Sequence, residues 1–392
     1  MKNILKILQN ELLHILVWDR RRGVLLLFAS VAYMVVFSWL YYWGVVQGVP
    51  LLVVDQSNTA LSRQLVKSFV QSDGFTLVGE SQTLAAAEEW LQKGRHGAAL
   101  YIPPDFSERI QRRQQSELVM AMEGSNIILT SNSSVAAAEI LREFNAKAAQ
   151  NNLARDKGQL PGQARQRTAP VHFNYRLLNN PQLDYLIFFV YGLALVALQQ
   201  GVLLAVAAGV LWPHNKHLPE ELALNKYSAW GLKTGVYWLL GMCSYALCLG
   251  VGRCFFNLPV RGSWQEHLLL SGSFIFCIIQ VGGMLAGLCK EELLFSRLSI
   301  FYTVPAFMLS GYTWPLEVMP LWVRNLAQCS PFTYLATAVR QLCLSGSCPD
   351  LAERSLILLL LGVICLPGAA QLYYQRFHGA AGDSSAYSEK IS

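Results

Sequence analysis

The chain has 392 residues, of which 53% are hydrophobic and 14% are charged, and its mean hydropathy is +0.32. Soluble domains usually carry about 25% charged residues, so this composition excludes an ordinary soluble protein and indicates an integral membrane protein. The net charge of +6 arises from basic residues that are dispersed or flank apolar runs, which argues for membrane orientation and against nucleic-acid binding. Nine cysteines in a chain of this length do not indicate a disulfide framework.

Residues 1–22 are predicted to form an amphipathic helix that lies in the membrane interface. Apolar side chains recur there at helical spacing, and lysine, asparagine and histidine occupy the rest of the helical wheel. A solvated cytoplasmic helix that touches a partner protein is the alternative interpretation of the same pattern. The apolar positions are Ile4, Leu5, Leu8, Leu12, Ile15 and Leu16.

Six apolar runs are long enough to cross a bilayer core about 30 Å thick, which takes roughly 20 residues of helix. They are residues 24–46, 183–211, 229–252, 268–289, 298–319 and 356–374. Lys233 lies near one end of the third run, where its side chain can reach the interface, and Pro305 and Pro367 are tolerated as kinks. The predicted fold class is an α-helical integral membrane protein with six transmembrane helices, the first within residues 23–46.

Residues 47–182, between the first two runs, are predicted to form an extracytoplasmic α/β domain. Short apolar runs at 49–54, 75–78, 98–102 and 118–122 have the pattern of strands. Helical stretches alternate with them at 61–70, 83–91, 105–113 and 133–153. Residues 55–58 offer capping side chains before the first helix, and residues 156–169 are predicted to be a loop. Strands that alternate with helices indicate a layered α/β domain.

The distribution of basic residues predicts the orientation of the spans. Arg20, Arg21 and Arg22 abut the first span, and cytoplasmic flanks carry an excess of lysine and arginine, so the N-terminus is predicted to be cytoplasmic. Alternation then places residues 47–182 outside. Residues 183–374 become a five-helix transmembrane region, and residues 375–392 become a cytoplasmic tail.

The sequence carries no motif that predicts catalysis. No phosphate-binding loop, Cys-x-x-Cys pair, zinc-protease motif or nucleophile elbow occurs in it. His214 and His217 form a close pair, but no third ligand accompanies them, so no metal site is predicted. We therefore expect that the chain is not an enzyme and binds no cofactor, and that any ATP which drives it is bound by another chain.

Three glutamines lie in the middle of predicted spans: Gln199 and Gln200 in the second and Gln280 in the fourth. Polar groups in hydrocarbon face other helices or a cavity, so they either hold the bundle together or contact a substrate. No aspartate or glutamate lies deep in a span, which argues against a carrier driven by protons or sodium. Cys343 and Cys348 flank a Gly-containing turn on the predicted outer face, where they form either a small-loop disulfide or two free thiols.

The segment after the fifth run is rich in proline, glycine and aromatic residues. It resembles the end of the fifth span and the external hairpin of the ABC type-2 export permeases, which carry Met-Pro-x-Trp and Pro-x-Thr-Tyr segments there. Because proline and glycine break helices, the resemblance implies a re-entrant hairpin near residues 311–345, with a plain kinked loop as the alternative. The matching positions are Gly311, Trp314, Pro315, Met319, Pro320, Trp322, Pro331 and Tyr334.

Residues 53–57, 98–106 and 179–181 resemble the subgroup of this family that has a large extracytoplasmic domain after span one, so the resemblance covers nearly the whole chain. Between spans two and three, such permeases usually carry a charged coupling helix that docks on the ATPase. Here the Gly-Thr pair of that helix is replaced and its first glutamate is missing, although two acidic residues after a proline favour a helix start. The implied ATPase-coupling loop comprises His217, Leu218, Glu220, Glu221 and Leu222.

The resemblance implies a permease subunit of an ATP-binding cassette exporter, in the inner membrane of a bacterium. It would move an amphiphilic, lipid-like or drug-like substrate outward. Its implied partners are ABC ATPase subunits that bind ATP and Mg, a second permease subunit, identical or different, and a periplasmic adaptor protein. The alternatives are an ion-coupled secondary carrier and a non-transporting membrane receptor or anchor with an external ligand-binding domain.

Overall fold

The computed structural model of the chain consists of two compact units. One unit comprises Met1–Tyr42 with Asp184–Ser392, and the other comprises Trp43–Leu183. Within the described part of the chain, six helices are long and apolar enough to cross a membrane, as the sequence predicts. The described residues are 2–42, 48–92, 97–112, 114–122, 127–157, 184–211 and 225–389.

The first unit begins with two helices that meet at a break. Helix α1 (Lys2–Leu13) is followed by a π-helical turn (His14–Trp18), and α2 (Arg20–Leu40) is the first apolar helix. Asp19 caps α2, because its side chain accepts a hydrogen bond of 3.3 Å from the backbone N–H of Arg22. The prediction of one helix over residues 1–22 is therefore corrected, and the first apolar helix begins and ends earlier than the predicted 24–46.

The second unit is an α/β fold. Its strand order is β2-β1-β3-β4, in which β1 runs parallel to β2 and β3, and β4 runs antiparallel to β3. The strands lie where the sequence predicts them, whereas α6 extends beyond the predicted 133–153 at both ends. In chain order the elements are β1 (Val49–Asp55), α3 (Ala60–Val70), β2 (Phe75–Glu80), α4 (Leu84–Gln92), β3 (Ala98–Ile102), α5 (Phe106–Gln111), β4 (Val119–Met122) and α6 (Ile127–Lys157).

The two faces of this sheet are covered by different helices. Alternate residues of a strand point to opposite faces, so Leu51 and Val53 pack on the same core as the buried apolar residues of α3, α5 and α6. Leu52 and Val54 pack on a smaller core with Leu91 of α4. The sequence patterns of β1 and β3 are nearly continuous in apolar residues because both faces of these central strands are buried.

The turn after β1 is held by Asp55, one of the predicted capping residues 55–58, whereas the residue that caps α3 is Thr59. The carboxylate of Asp55 accepts hydrogen bonds from the backbone N–H groups of Ser57 and Asn58, at 3.0 and 3.1 Å. The same carboxylate accepts a bond of 2.6 Å from the hydroxyl of Ser62. Thr59 and Ser62 form a reciprocal capping box, and α3 therefore begins directly after Thr59.

The first unit continues with five further apolar helices and a hairpin. The hairpin is a 3₁₀ turn and two short helices, and it lies between α10 and α13. The elements are α7 (Tyr185–Leu211), α8 (Lys226–Phe256), α9 (Trp264–Leu288), α10 (Glu292–Leu309), the 3₁₀ turn (Leu316–Val318), α11 (Leu321–Gln328), α12 (Pro331–Ser345) and α13 (Leu351–Glu389).

The fifth apolar helix is shorter than the predicted run of residues 298–319, because α10 ends at Leu309. Gly311 adopts a φ of +81°, a left-handed conformation that suits glycine, and the chain turns there. A Cβ atom at Gly311 would also lie 2.8 Å from Cγ of Leu316, so the turn has no space for a side chain. Residues 311–319 therefore belong to the hairpin and not to the span.

Close approach of helix backbones holds the apolar bundle together. Helix α2 packs along α7, and α9 packs along α13. A Cβ at Gly201 of α7 would lie 2.7 Å from the carbonyl oxygen of Leu25 on α2. A Cβ at Gly287 of α9 would lie 2.5 Å from Cβ of Leu372 on α13. Small residues permit such contacts, which supply the packing energy that the hydrophobic effect does not supply between helices in lipid.

Candidate functional site

The hairpin is anchored on α7 by Tyr312. The hydroxyl of Tyr312 donates a hydrogen bond of 2.7 Å to the carbonyl of Phe188 and accepts one of 3.0 Å from the backbone N–H of Gly192. A Cβ at Gly192 would lie 2.6 Å from the Tyr312 ring, so glycine is required for this contact. The fully buried ring of Tyr312 thus fixes the start of the hairpin against the second apolar helix.

Arg340 of α12 also binds Tyr312, the residue that anchors the hairpin on α7. Its guanidinium donates a hydrogen bond of 2.9 Å to the carbonyl of Tyr312. It also lies 4.5 Å from the ring centroid of Tyr312 and 4.9 Å from that of Phe188, at cation–π distance. Burial lowers the pKa of Arg340 below its usual value. Sequence reasoning did not single out Tyr312 or Arg340, and their position inside the Pro- and Gly-rich segment was the available signal.

The predicted hairpin residues beyond Gly311 fall into three groups. Trp314 and Trp322 are largely exposed on the surface of this unit, together with the neighbouring Leu321. Pro331 is the first residue of α12, and the hydroxyl of Tyr334 donates a bond of 2.9 Å to the carbonyl of Gln328 at the end of α11. The first group presents apolar and indole surface, and the second group fixes the angle between the two short helices. Pro315, Met319 and Pro320 lie at the turns between these elements.

Gln199 and Gln200 lie in a hydrogen-bonded network between α7 and α10. The amide nitrogen of Gln200 donates to the hydroxyl of Ser299 at 2.7 Å, and its oxygen accepts from the hydroxyl of Thr303 at 2.8 Å. The amide nitrogen of Gln199 donates to the Thr303 hydroxyl at 3.3 Å. Sequence reasoning missed Ser299 and Thr303, although their spacing of four residues places both on one face of α10.

Gln280 does not join this network and lies in a second one between α8 and α9. Its oxygen accepts a hydrogen bond of 2.6 Å from the indole N–H of Trp230. Its amide nitrogen donates to the hydroxyl of Thr234 at 3.4 Å. All three side chains are buried. The three predicted glutamines are thus uncharged bridges at two different helix contacts.

A buried ion pair connects α1 to α8. The ammonium of Lys233 lies 2.8 Å from a carboxylate oxygen of Glu11, and the two side chains are 9% and 12% exposed. The sequence predicts that the side chain of Lys233 can reach the membrane interface, and the structure adds a carboxylate partner that α1 brings to it. The residues are more than two hundred positions apart in the chain, so no local pattern links them.

The predicted coupling residues His217, Leu218, Glu220, Glu221 and Leu222 lie outside the described residues, as does His214. Within the described ranges, no group of three or more histidine, cysteine, aspartate or glutamate side chains is arranged to hold a metal ion. Cys343 and Cys348 are free thiols in the structure, and both are buried. The Cys348 thiol donates a hydrogen bond of 3.2 Å to the side-chain oxygen of Gln341.

Residues 21–370 match the family described as ABC-2 family transporter protein, a range that overlaps all six apolar helices. The chain belongs to this family. The family is the permease component of ABC transporters and not their ATPase component. This chain is therefore a membrane permease, and the polar contacts described above lie in or beside its transmembrane bundle.

Relatives with assigned names agree with the family. The probable multidrug ABC transporter permease YbhR of Escherichia coli strain K12 is 23% identical over 334 residues, which cover 83% of this chain and 86% of the relative. The inner membrane transport permease YhhJ of the same strain is 22% identical over 309 residues, which cover 76% and 77%. A segment of 91 residues, 23% of this chain, is 28% identical to part of ABC transporter G family member 20 of Dictyostelium discoideum, 12% of that relative.

Proposed function

We propose that the chain is the permease subunit of an ATP-binding cassette exporter, which moves an amphiphilic, lipid-like or drug-like substrate outward across the cytoplasmic membrane. Separate ATPase subunits bind ATP and Mg and power the transport, and the chain itself binds no cofactor. A second permease subunit completes the pathway. A periplasmic adaptor protein receives the substrate outside.

The observation that carries this proposal is the family match over all six apolar helices. The substrate class is supported by the relatives that are named as multidrug permeases. The carboxylates of the six candidate spans add a second support, because they lie only in the first turns of α9, α10 and α13. An ion-coupled carrier usually needs a carboxylate deep within its spans, and beyond their first turns these six spans offer none.

Transport itself provides the test. The complex is purified through a tag on this chain, its ATPase subunit is identified, and both are reconstituted in vesicles loaded with a fluorescent lipophilic amine. We expect movement of the dye only with ATP and Mg, and none with an ATPase variant that binds ATP without hydrolysing it. Dye movement that needs a proton gradient, with ATP having no effect, would contradict the proposal.

We further propose that the α/β unit lies outside the cytoplasmic membrane and that both termini lie inside. This orientation follows from the three arginines before α2 and the alternation of six spans. Alkaline phosphatase fused after residue 157 should be active, since that enzyme matures only outside the cytoplasm. Fusion at residue 389 should give no activity. The reverse pattern would overturn the orientation.

The departure of the coupling loop from the family pattern supports a pairing of two different permeases. A subunit with a weakly coupled loop works beside one with the standard loop, which transmits most of the ATPase motion. Mass measurement of the purified, active complex tests this arrangement. Two identical copies of this chain per ATPase pair, with full activity, would exclude it.

A further inference from the structure

A groove opens on the outside of the apolar bundle between α8, α9 and α13. Its volume is about 530 Å³, within the range of about 300 to 1,000 Å³ that is typical of small-molecule sites. The transport proposal does not use this groove. Its lining includes Tyr227, Gly231, Gly235 and Trp238 of α8, with Gly272 of α9 and Leu366 of α13.

The sequence of α8 explains why the groove is open. Tyr227, Gly231, Gly235 and Trp238 follow one another at intervals of three or four residues, so they share one face of the helix. A Cβ atom built at Gly231 or Gly235 would meet no atom within 4 Å. Empty space therefore begins at the helix backbone itself. Tyr227 lies one turn before the two glycines, and Trp238 lies one turn after them.

One wall of the groove is fixed by a hydrogen bond between two helices. The indole N–H of Trp238 donates a bond of 2.9 Å to the carbonyl oxygen of Gly272 on α9. A Cβ at Gly272 would lie 3.1 Å from the Trp238 ring, so the ring lies directly on the neighbouring helix. The groove is thus a built feature of the bundle and does not depend on the rotation of a free side chain.

One end of the groove carries a positive charge. Lys226 is the first residue of α8, and its ammonium lies 5.2 Å from the ring centroid of the groove-lining Tyr227. It donates a hydrogen bond of 2.7 Å to the side-chain oxygen of Gln371, a neutral partner. No carboxylate pairs with Lys226 in the part of the chain that the structure describes. A basic residue at the end of a span lies at the depth of lipid headgroups.

We propose that this groove binds a membrane phospholipid with an anionic headgroup. One acyl chain lies on the bare backbone at Gly231 and Gly235, and the phosphate lies beside Lys226. The groove is part of membrane-spanning helices, so hydrocarbon and not water is the medium that fills it. Lysine near the membrane surface attracts anionic lipids, which gives the headgroup preference.

A second helix is the competing occupant, because two glycines four residues apart also form a motif for helix association in membranes. Here Tyr227 and Trp238 flank the glycines and are 47% and 36% exposed. A helix that packed on the glycine backbone would also have to pack against both of these exposed rings, and its apolar surface would offer no partner for the charge of Lys226. An acyl chain is narrower and flexible, and it can lie between the two rings as they stand.

The first test fills the groove. Gly231 and Gly235 are both changed to leucine, whose Cβ atoms would meet no atom within 4 Å and which favours helix formation. Phosphatidylglycerol retained per chain after detergent purification is measured by lipid extraction and mass spectrometry. We expect the double variant to retain at least ~5-fold less than the unchanged chain, a difference of about 1 kcal/mol in binding. Gly250→Leu is the matched control, because Gly250 lies on the same helix and outside the groove, and a Cβ atom there would likewise meet no atom within 4 Å.

The second test removes the charge and leaves the groove open. Lys226→Gln should reduce the preference for phosphatidylglycerol over phosphatidylethanolamine by about fivefold, which corresponds to about 1 kcal/mol for one lysine at the surface. Lys226→Arg should keep the preference. Because neither substitution touches the glycines, this test remains informative if the double variant fails to fold.

Three results would overturn the proposal. The first is equal lipid retention by the unchanged chain and the double leucine variant. The second is equal retention of the two headgroup classes by the unchanged chain. The third is a double variant that loses an oligomer on light scattering while its retained lipid stays the same, since the groove would then be a protein-packing face. None of these results depends on transport, so failure here and failure of the exporter proposal are distinguishable.

Discussion

Two contacts inside the transmembrane unit join helices by different physical means. The contact of α1 with α8 depends on a buried ion pair, Glu11 with Lys233, which are 12% and 9% exposed. The contact of α7 with α10 depends on neutral amides and hydroxyls, Gln199 and Gln200 with Ser299 and Thr303. In both contacts, polar side chains in an apolar surrounding take other side chains as partners in place of water.

The two contacts differ in the group that a single substitution leaves without a partner. A lone charge in a low-dielectric surrounding has no substitute for its counter-ion, so the α1–α8 contact is intolerant of single changes. A lone hydroxyl or amide costs much less, because neutral groups in a membrane bundle often find another partner. The N-terminal helix is therefore held by the contact that is more sensitive to mutation, although it is the smaller element.

The largest expected effect comes from Glu11→Gln, which removes the negative charge and keeps the side-chain volume. Lys233 would remain buried without its counter-ion, and we expect a loss of about 3–5 kcal/mol in the free energy of unfolding. Thermal unfolding of the purified chain in detergent measures this loss. Asp350→Asn is the control, because the pair of Asp350 with Arg354 is long, at 3.8 Å, and its carboxylate is largely exposed.

The double variant Glu11→Gln with Lys233→Met separates charge from packing. Replacing both charges of a buried pair is often neutral or stabilising, so most of the lost stability should return. If the double variant were as unstable as the single variant, the charge pair would not be the reason for the sensitivity of this contact.

Tyr312→Phe should have the second largest effect, because it deprives two backbone groups on α7 of their partner. The ring and its packing remain, whereas the N–H of Gly192 loses its acceptor and the carbonyl of Phe188 loses its donor. We expect a loss of about 1–3 kcal/mol, between the losses at the charged and neutral contacts, again by thermal unfolding. Tyr334→Phe, whose single bond lies at an exposed site, should lose clearly less. Equal losses of stability in the two variants would show that the hydrogen bonds of Tyr312 to α7 contribute no more than the single bond of Tyr334.

The sequence was sufficient for the apolar helices because their signal is local and long. The boundaries of these helices were predicted less well. Trp314, Leu316 and Met319 continue the apolar run past Leu309, and only the left-handed φ of Gly311 shows that the helix has ended. At the N-terminus, hydrophobic periodicity continues past the break at Asp19, where a single capping hydrogen bond decides the boundary.

The site residues show the same limit more strongly. Gln199 and Gln200 stand out as polar residues in an apolar run, so the sequence finds them without their partners. Ser299 and Thr303 are ordinary in a helix, and their role comes from a contact across about a hundred residues. Glu11 lies in a mixed polar helix, where nothing local marks it as the counter-ion of Lys233.

A smaller effect is expected when the neutral contact of α7 with α10 is opened. Thr303→Val keeps the shape and removes the hydroxyl that bonds both glutamines. The expected loss is about 0.6 kcal/mol and at most about 1.7 kcal/mol, the range of such bonds in membrane bundles. A double-mutant cycle with Gln200→Leu isolates the coupling. A loss as large as that of Glu11→Gln would remove the distinction between charged and neutral contacts.

The smallest effect concerns Cys348, whose thiol is a weak donor to Gln341. Cys348→Ala should change the free energy of unfolding by less than about 1 kcal/mol, since it removes this weak bond and one buried sulfur atom. Burial raises the pKa of the Cys348 thiol, so less thiolate is present at neutral pH and alkylation should be slow, speeding up as the pH rises. Mass spectrometry should show faster labelling of the exposed Cys329 in the folded chain.

In the chain denatured without reductant, Cys343 and Cys348 should both be labelled. If labelling of these two cysteines required reductant, they would form a disulfide instead. If Cys348→Ala lost much stability and no disulfide were found, even a weak neutral hydrogen bond would be critical at this position. The difference in sensitivity between this contact and the Glu11–Lys233 pair would then depend on position in the bundle and not on charge.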